Sequence, residues 1–165
     1  RAVGSLDDPS CRLVLVGQGE RALVETLRAQ GGGRVIDTGP LSAEELAVYA
    51  HAADFLIFAP MADQLTTGGP HLSESFLVPQ LTTRTGYTEE ILGDTALYFL
   101  PEVEDIRRAI LNARECVADR GGAYAAMVEG LRARRRAHAW PVVADMTRDF
   151  YGRLTGSGRS GSAES

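Results

Sequence analysis

The sequence predicts an α/β domain in which a parallel sheet is covered by helices on both faces. Short, continuously apolar runs recur between residues 11 and 100, and amphipathic segments separate them. Apolar runs without polar alternation are typical of strands that are buried on both faces. Strands that alternate with helices along the chain indicate a three-layer, Rossmann-like arrangement. From residue 102 onward the pattern is helical, which predicts a C-terminal helical extension.

Each predicted element has a local signal. Five apolar runs predict strands at 11–16, 34–39, 54–60, 79–86 and 95–100. Helical spacing predicts helices at 20–30, 41–54, 71–78, 89–94, 102–120, 122–140 and 141–154. Ser42 and Glu45 predict a capping box, in which each side chain binds a free backbone N–H. Pro141 suits a first helical turn. We therefore expect one domain over 1–154 and a disordered Gly/Ser-rich tail over 155–165.

Charge and composition argue against several functional classes. The net charge of −5 argues against a general nucleic-acid binder or a binder of anionic membranes. No apolar run approaches the ~20 residues that span a bilayer. The N-terminal RAVGSLDDPS has no apolar signal-peptide core, so we expect a cytoplasmic protein. Cys11 and Cys116 match no metal-ligand spacing and are predicted to be buried free thiols.

The loops that follow the predicted strands are the candidate binding site. In open parallel sheets ligands bind at the carboxyl ends of the strands. This rule selects the loops 17–20, 38–41, 60–71 and 83–88. The third loop contains Thr-Thr-Gly-Gly-Pro, where Gly68 and Gly69 would let backbone N–H groups approach a phosphate ahead of a helix N-terminus. A plain turn before a helix is the alternative for these two glycines.

Several segments, in order, resemble the C-terminal half of a retaining glycosyltransferase of family four, with the GT-B architecture. RLVLVGQGER is similar to the family's LVIVGDGPER, and VIDTGPLSAEELAVYAHAADFLIFAP is similar to VRFLGRVSDEELAALYRAADVFVLPS. EEILGDTALYF is similar to PEVVGDAALLV, and AHAWPVVADMTRDFYGRL is similar to the closing FSWERTARRLLELYR helix. The resemblance covers residues 8 to 154 and rests on the order and spacing of these segments.

The resemblance implies a domain that holds a nucleotide-diphosphate sugar as donor substrate, with no cofactor and no metal. The residues expected at the donor sugar and phosphate are Gln64, Thr67, Gly68, Gly69, His71 and Glu74. The residues expected at the nucleotide are Gly17, Gly19, Gly39, Leu41 and Leu72. The sequence assigns no catalytic residue. A half-exposed helical His is the alternative for His71, and a solvated helical Glu is the alternative for Glu74.

The chain departs from the family's pattern between Pro60 and Pro79. The family runs PSLYEGFGLPLLEAMACGTP there, and this chain runs PMADQLTTGGPHLSESFLVP. The family's two glutamates, one by the sugar and one on the ribose, fall on Gln64 and Leu72. Glu74 lies two positions beyond the ribose-binding slot, a rotation of ~200° on a helix, so it points almost the opposite way. The usual carboxylates of the site are therefore absent.

The resemblance also implies parts that are not in this chain. The family's domain opens with a strand and a loop that supplies an Arg and a Lys to the diphosphate, and RAVGSLDDPS is similar to the end of the helix that follows that loop. We therefore expect a missing first strand, a missing acceptor domain or partner chain, and a sheet edge that needs cover. Trp140, near the end of the chain, is predicted to be a packing anchor.

Two functions from different classes remain open. The first is the donor-binding half of a glycosyltransferase, in which Gln64 contacts the sugar, glycine loops hold base and phosphate, and the departing diphosphate is supported electrostatically. The second is a degenerate glycosyltransferase-like domain that binds or scaffolds without catalysis. An epimerase or phosphorylase on the same architecture is a more distant third.

Overall fold

The computed structural model describes residues 2–60 and 68–155, and these form an α/β fold with parallel strands. The strands are β1 (Leu13–Leu15), β2 (Val35–Asp37), β3 (Leu56–Phe58), β4 (Gln80–Thr83) and β5 (Ala96–Phe99). The helices are α1 (Arg21–Gln30), α2 (Ala43–Ala52), α3 (Gly68–Phe76), α4 (Gly86–Leu92), α5 (Val103–Ala118), α6 (Ala123–Ala137) and α7 (Trp140–Leu154). The predicted alternation of strands and helices, followed by a helical extension, is confirmed.

Two helices begin earlier than the sequence pattern predicts. Helix α3 begins at Gly68 and α4 at Gly86, each three residues before its predicted start. The cause at α4 is a capping box in which the Thr85 hydroxyl accepts the Thr88 N–H at 3.2 Å and the Thr88 hydroxyl accepts the Thr85 N–H at 2.9 Å. The predicted capping box of α2 is confirmed, with Ser42 and Glu45 bonded in both directions at 2.8 and 3.2 Å.

The strands pair in two separate parallel ladders. β1 pairs with β2 from Leu13 opposite Val35 to Leu15 opposite Asp37. β4 lies between β3 and β5, with Leu81 opposite both Ile57 and Leu97. Among the described residues, β1 and β3 do not pair with each other. The described strands therefore form two ladders, β1-β2 and β3-β4-β5, with a break in backbone pairing between them, whereas the sequence predicted one sheet with an uncovered edge.

A shared apolar core joins the two ladders on one face. Buried side chains of the N-terminal turn, of β4 and β5, and of α5 form this core: Ala2, Val3, Leu6, Leu81, Phe99, Ala109, Ile110 and Ala113. Leu13 of β1 and Phe55, which precedes β3, both pack against it. The ladders are thus held by side-chain packing where backbone pairing is absent.

The C-terminal helix α7 is poorly covered. It packs beside α6, while Trp140 at its start is 84% exposed. The prediction that Trp140 is a packing anchor is wrong, because the described residues place nothing over its ring. Other exposed apolar side chains on α7 are Val142, Met146, Phe150, Tyr151 and Leu154.

Cys11 and Cys116 are both free and only partly buried.

Candidate functional site

The loops after β1 and β2 are tied together by two of the predicted glycines. The Gly17 N–H donates to the Gly39 carbonyl at 2.9 Å. Gly17 has φ +111° and Gly39 has φ +66°, which side-chain-bearing residues rarely adopt. A Cβ at either position would meet nothing within 4 Å, so the space beside both backbones is open. The Gly39 N–H donates to the Asp37 carboxylate at 3.3 Å, and the Gly39 carbonyl also accepts the Thr38 hydroxyl at 2.9 Å. The two glycines therefore offer a ligand open space at the ends of β1 and β2, while most of their own polar groups are engaged.

Gly19 and Leu41 lie farther along the same loops. A Cβ at Gly19 would lie 3.1 Å from a Val24 methyl, so this glycine lets the loop pass close to the first turn of α1. Leu41 is half-buried and directly precedes Ser42, the N-cap of α2. Packing against Val24 therefore explains the glycine at position 19. A nucleotide contact of Gly19 or Leu41 stays a prediction.

The two glycines at the start of α3 have different surroundings. A Cβ at Gly69 would lie 2.5 to 2.8 Å from ring atoms of Phe58, so only glycine lets α3 approach β3 this closely. A Cβ at Gly68 would meet nothing within 4 Å, and the residue is exposed. Helix N-termini favour anions because their first N–H groups lack helical partners. Gly68 is thus suited to anion approach, and Gly69 is required by packing.

The loops after β3 and β4 are also held side by side. The Thr83 hydroxyl donates to the Pro60 carbonyl at 2.5 Å, and the Thr88 hydroxyl donates to the Thr83 carbonyl at 2.8 Å. Thr83 and Thr88 are both buried. These bonds fix the ends of two neighbouring strands and the start of α4. Gln64 and Thr67, predicted at the donor, lie outside the described residues.

His71 is half-exposed and has two polar neighbours. Its Nε2 lies 3.2 Å from the Tyr87 hydroxyl, and its Nδ1 lies 3.7 Å from Glu74 Oε2. Tyr87 is in the first turn of α4, so the contact bridges α3 and α4. The side chain of His71 is 49% exposed, as the half-exposed alternative predicted. It is the imidazole nearest to the open start of α3, one turn beyond Gly68.

Glu74 is buried and faces away from Leu72. Glu74 is 5% exposed, and His138 Nδ1 lies 3.0 Å from each of its carboxylate oxygens. The alternative of a solvated helical Glu is therefore wrong. Leu72 is 37% exposed, on the other side of the helix, as the rotation between the two positions predicts. Contact of either residue with a donor stays a prediction.

Arg84, which follows β4, is a cation at this edge of the sheet. Its guanidinium bonds to the Glu89 carboxylate and lies 4.3 Å above the Tyr98 ring. Burial raises the pKa of Tyr98, and Arg84 opposes this shift, so the phenol stays neutral near pH 7. Because Glu89 already balances the charge of Arg84, this residue is not an unengaged cation for a diphosphate.

Sequence reasoning assigned no role to four of the site's residues, which are His138, Tyr87, Thr85 and Thr88. His138 follows α6 and reaches Glu74 from 64 positions away, and no sequence signal marks such a contact. Tyr87 likewise has no signal. The Thr85–Thr88 capping box does have a sequence signal. A Ser or Thr stands three residues before a polar residue at a helix start, which is the same pattern that predicted the Ser42–Glu45 box.

Two further features are absent from the part of the chain that the structure describes. It contains no cluster of three or more His, Cys, Asp or Glu side chains arranged to hold a metal ion. None of its helices combines the length and the apolar character needed to cross a bilayer.

Comparison with solved structures shows the fold. The chain superimposes on a sucrose-phosphate synthase from Thermosynechococcus elongatus with a TM-score of 0.72 and 20% sequence identity. The match covers 95% of this chain and 41% of the synthase, so the chain spans about two fifths of that protein's length. No protein-family model matches the sequence. No curated protein matches it in sequence. The α/β fold therefore matches a Rossmann-like half of the GT-B architecture.

Proposed function

We propose that this chain binds a nucleotide-diphosphate sugar at the carboxyl edge of its strands, as the donor-binding half of a glycosyltransferase. The observation that carries the proposal is the open start of α3. None of the described residues lies within 4 Å of the place that a side chain at Gly68 would occupy, and Gly68 is the first residue of the nine-residue helix α3, the next described element after β3. Backbone N–H groups with this access hydrogen-bond phosphate oxygens, and the helix dipole favours the negative charge.

The glycine pair after β1 and β2 supports the same assignment. Gly17 and Gly39 leave open space beside the backbone at the ends of two neighbouring strands, while their N–H groups and the Gly39 carbonyl are already bonded within the loops. In this proposal the base and ribose lie along Gly17, Gly39 and Leu41, and the diphosphate reaches the start of α3. The protein's part in transfer is electrostatic support of the departing diphosphate. Because Arg84 is paired with Glu89, additional cations would come from outside this chain.

The break in the sheet favours a larger parent architecture. In the doubly wound order the two halves of a sheet meet at a central first strand. The ladders β2-β1 and β3-β4-β5 are what remains when that strand is removed. We propose that a further parallel strand, and with it the acceptor-binding half, is supplied by polypeptide outside this chain.

Calorimetric titration of the 165-residue chain with UDP, GDP and ADP tests donor binding. We expect one of the three to bind with a millimolar or lower Kd. Gly68→Val should weaken that binding about tenfold or more, because the added side chain would occupy the space through which the phosphate approaches the start of α3. Gly152→Val is the matched control, since Gly152 also has open space around it but lies on α7. Equal binding by both variants would contradict the phosphate seat.

A non-catalytic binding or scaffolding domain is the second candidate, and Leu72 favours it. The resemblance places the ribose-binding glutamate at Leu72, which is 37% exposed and apolar, while the one carboxylate of α3 is buried against His138. If the loop keeps the family's shape, Leu72→Glu should raise nucleotide affinity about tenfold through a charge-assisted bond to ribose. Leu72→Gln is the neutral control. No gain from Leu72→Glu would favour the non-catalytic candidate.

A further inference from the structure

We propose that the Glu74–His138 pair positions α3 and ties its ligand-facing start to the junction between α6 and α7. Glu74 lies on α3, and His138 lies in the short link between α6 and α7. The two residues are 64 positions apart in sequence, yet one imidazole nitrogen lies 3.0 Å from both oxygens of one carboxylate. The functional consequence of this link rests on the proposed nucleotide site.

The burial of Glu74 makes the pair energetically important. A carboxylate that is 5% exposed has little water to stabilise its charge, so it depends on donors from the protein. His138 supplies the shortest such contact, and His71 lies farther away at 3.7 Å. Removing the donor would leave the carboxylate buried without its main partner, which is costly in proteins. The position of α3 is therefore sensitive to His138.

A second contact joins the same two elements. Arg135, in the last turn of α6, reaches the Ser75 carbonyl at the end of α3 with a long bond of 3.5 Å. The Leu131 side chain of α6 is fully buried in a cluster with Leu92 and Ala96, and Leu77, which follows α3, packs against this cluster. Helix α6 thus packs on α3 next to the Glu74–His138 pair.

The link runs from the candidate phosphate seat to the C-terminal helix. Gly68 and Glu74 lie on the same nine-residue helix, so a shift at its N-terminus is transmitted to Glu74. His138 is two residues before Trp140, the single tryptophan of the chain, which is 84% exposed at the start of α7. Trp140 fluorescence is therefore a local reporter of the junction.

A double-mutant cycle tests the contact without any nucleotide. Urea unfolding is measured for the full chain carrying Glu74→Gln, His138→Ala, both together, or neither. We expect His138→Ala to raise the unfolding equilibrium constant about tenfold or more, and the cost to be much smaller when Glu74→Gln is already present. His51→Ala is the matched control, because His51 contacts Phe76 of α3 only edge-on, with ring centroids 5.4 Å apart. Additive effects of the two changes would overturn the proposal.

Nucleotide titration followed by Trp140 fluorescence tests the positioning role. In the unaltered chain, binding of UDP, GDP or ADP should change the emission. In His138→Gln, whose amide can still donate to the carboxylate, the change in Trp140 emission should persist. In His138→Ala the change in emission should fall at least by half, while calorimetry still detects nucleotide binding. An emission change that is the same in His138→Ala would overturn the link. If no nucleotide binds the unaltered chain, the proposed function fails, and the unfolding cycle alone decides the contact.

Discussion

Gly68 and Gly69 are adjacent in sequence, yet different constraints act on them. A Cβ added at Gly69 would overlap the Phe58 ring, whereas a Cβ added at Gly68 would meet none of the described residues within 4 Å. The sequence marks both as one turn, because a dipeptide pattern carries no information on which residue packs against a strand that lies earlier in the chain. The structure separates a packing glycine from a glycine that is free to face a ligand.

This separation predicts a difference in stability. Gly69→Ala should destabilise the fold by about 1–3 kcal/mol, because the methyl group overlaps the Phe58 ring and α3 must move away from β3. Gly68→Ala is the control and should change the free energy of unfolding by less than about 1 kcal/mol. Chemical unfolding of the two variants measures both values. Equal destabilisation would show that α3 starts differently from the structure described.

A second residue-scale prediction concerns Cys11. Burial raises the pKa of its thiol, and the nearby Asp8 carboxylate adds to the shift. Because the thiolate is the reactive form, a raised pKa means a smaller thiolate fraction at a given pH. In a Cys116→Ser background, the alkylation rate of Cys11 should reach its midpoint at higher pH than that of a small-molecule thiol. A midpoint at or below that of the free thiol would contradict this environment.

At the scale of elements, helix ends explain most of what the sequence predicted well. The Ser42–Glu45 box and Pro141 are local signals, and α2 and α7 begin where these signals place them. The contact between α3 and the α6–α7 junction has no local signal, because Glu74 and His138 meet only through packing. The solvated alternative for Glu74 failed for this reason.

The capping box of α2 gives a pH-dependent prediction. The pKa of Glu45 is lowered because its carboxylate accepts the Ser42 backbone N–H and a bond involving the Ser42 side chain. The box therefore contributes stability above the ordinary Glu pKa and loses it as the pH falls through the lowered value. Ser42→Ala should move the Glu45 pKa back toward its ordinary value. Carboxyl-carbon NMR titration of both proteins measures this shift, and an unchanged Glu45 pKa would contradict the box.

At the scale of the whole molecule, the apolar runs and their alternation were sufficient for the α/β class and the parallel strands. They did not predict the break between the two ladders, because the apolar pattern of a strand is the same whether or not a neighbouring strand is present. Gln64 and Leu72 were selected by the family's spacing, and the glycine loops by their position after the predicted strands. The roles of His138 and Tyr87 depend on tertiary contacts that spacing does not encode.

The break predicts uneven protection of backbone amides. Side chains and N–H groups alternate along a strand, so Leu56, whose N–H donates to the Pro79 carbonyl at 2.9 Å, faces β4. The N–H of Ile57 then faces the edge of β3 that pairs with no other described strand, and the residue is 48% exposed. Hydrogen exchange at Ile57 should be about tenfold or more faster than at Leu56. Equal protection would show that another part of the chain already fills the break.

The location of nucleotide binding is the most direct test of the central claim. The opposite edge of the sheet offers a competing site, a cavity of about 420 Å³ lined by Arg12, Arg34, Gly32 and Gly33. In an amide NMR titration with the tightest-binding nucleoside diphosphate, we predict shifts at Gly17, Gly39 and Gly68 and unchanged signals at Gly32 and Gly33. Shifts confined to Gly32 and Gly33, or no shifts in any glycine, would contradict a donor site at the carboxyl edge.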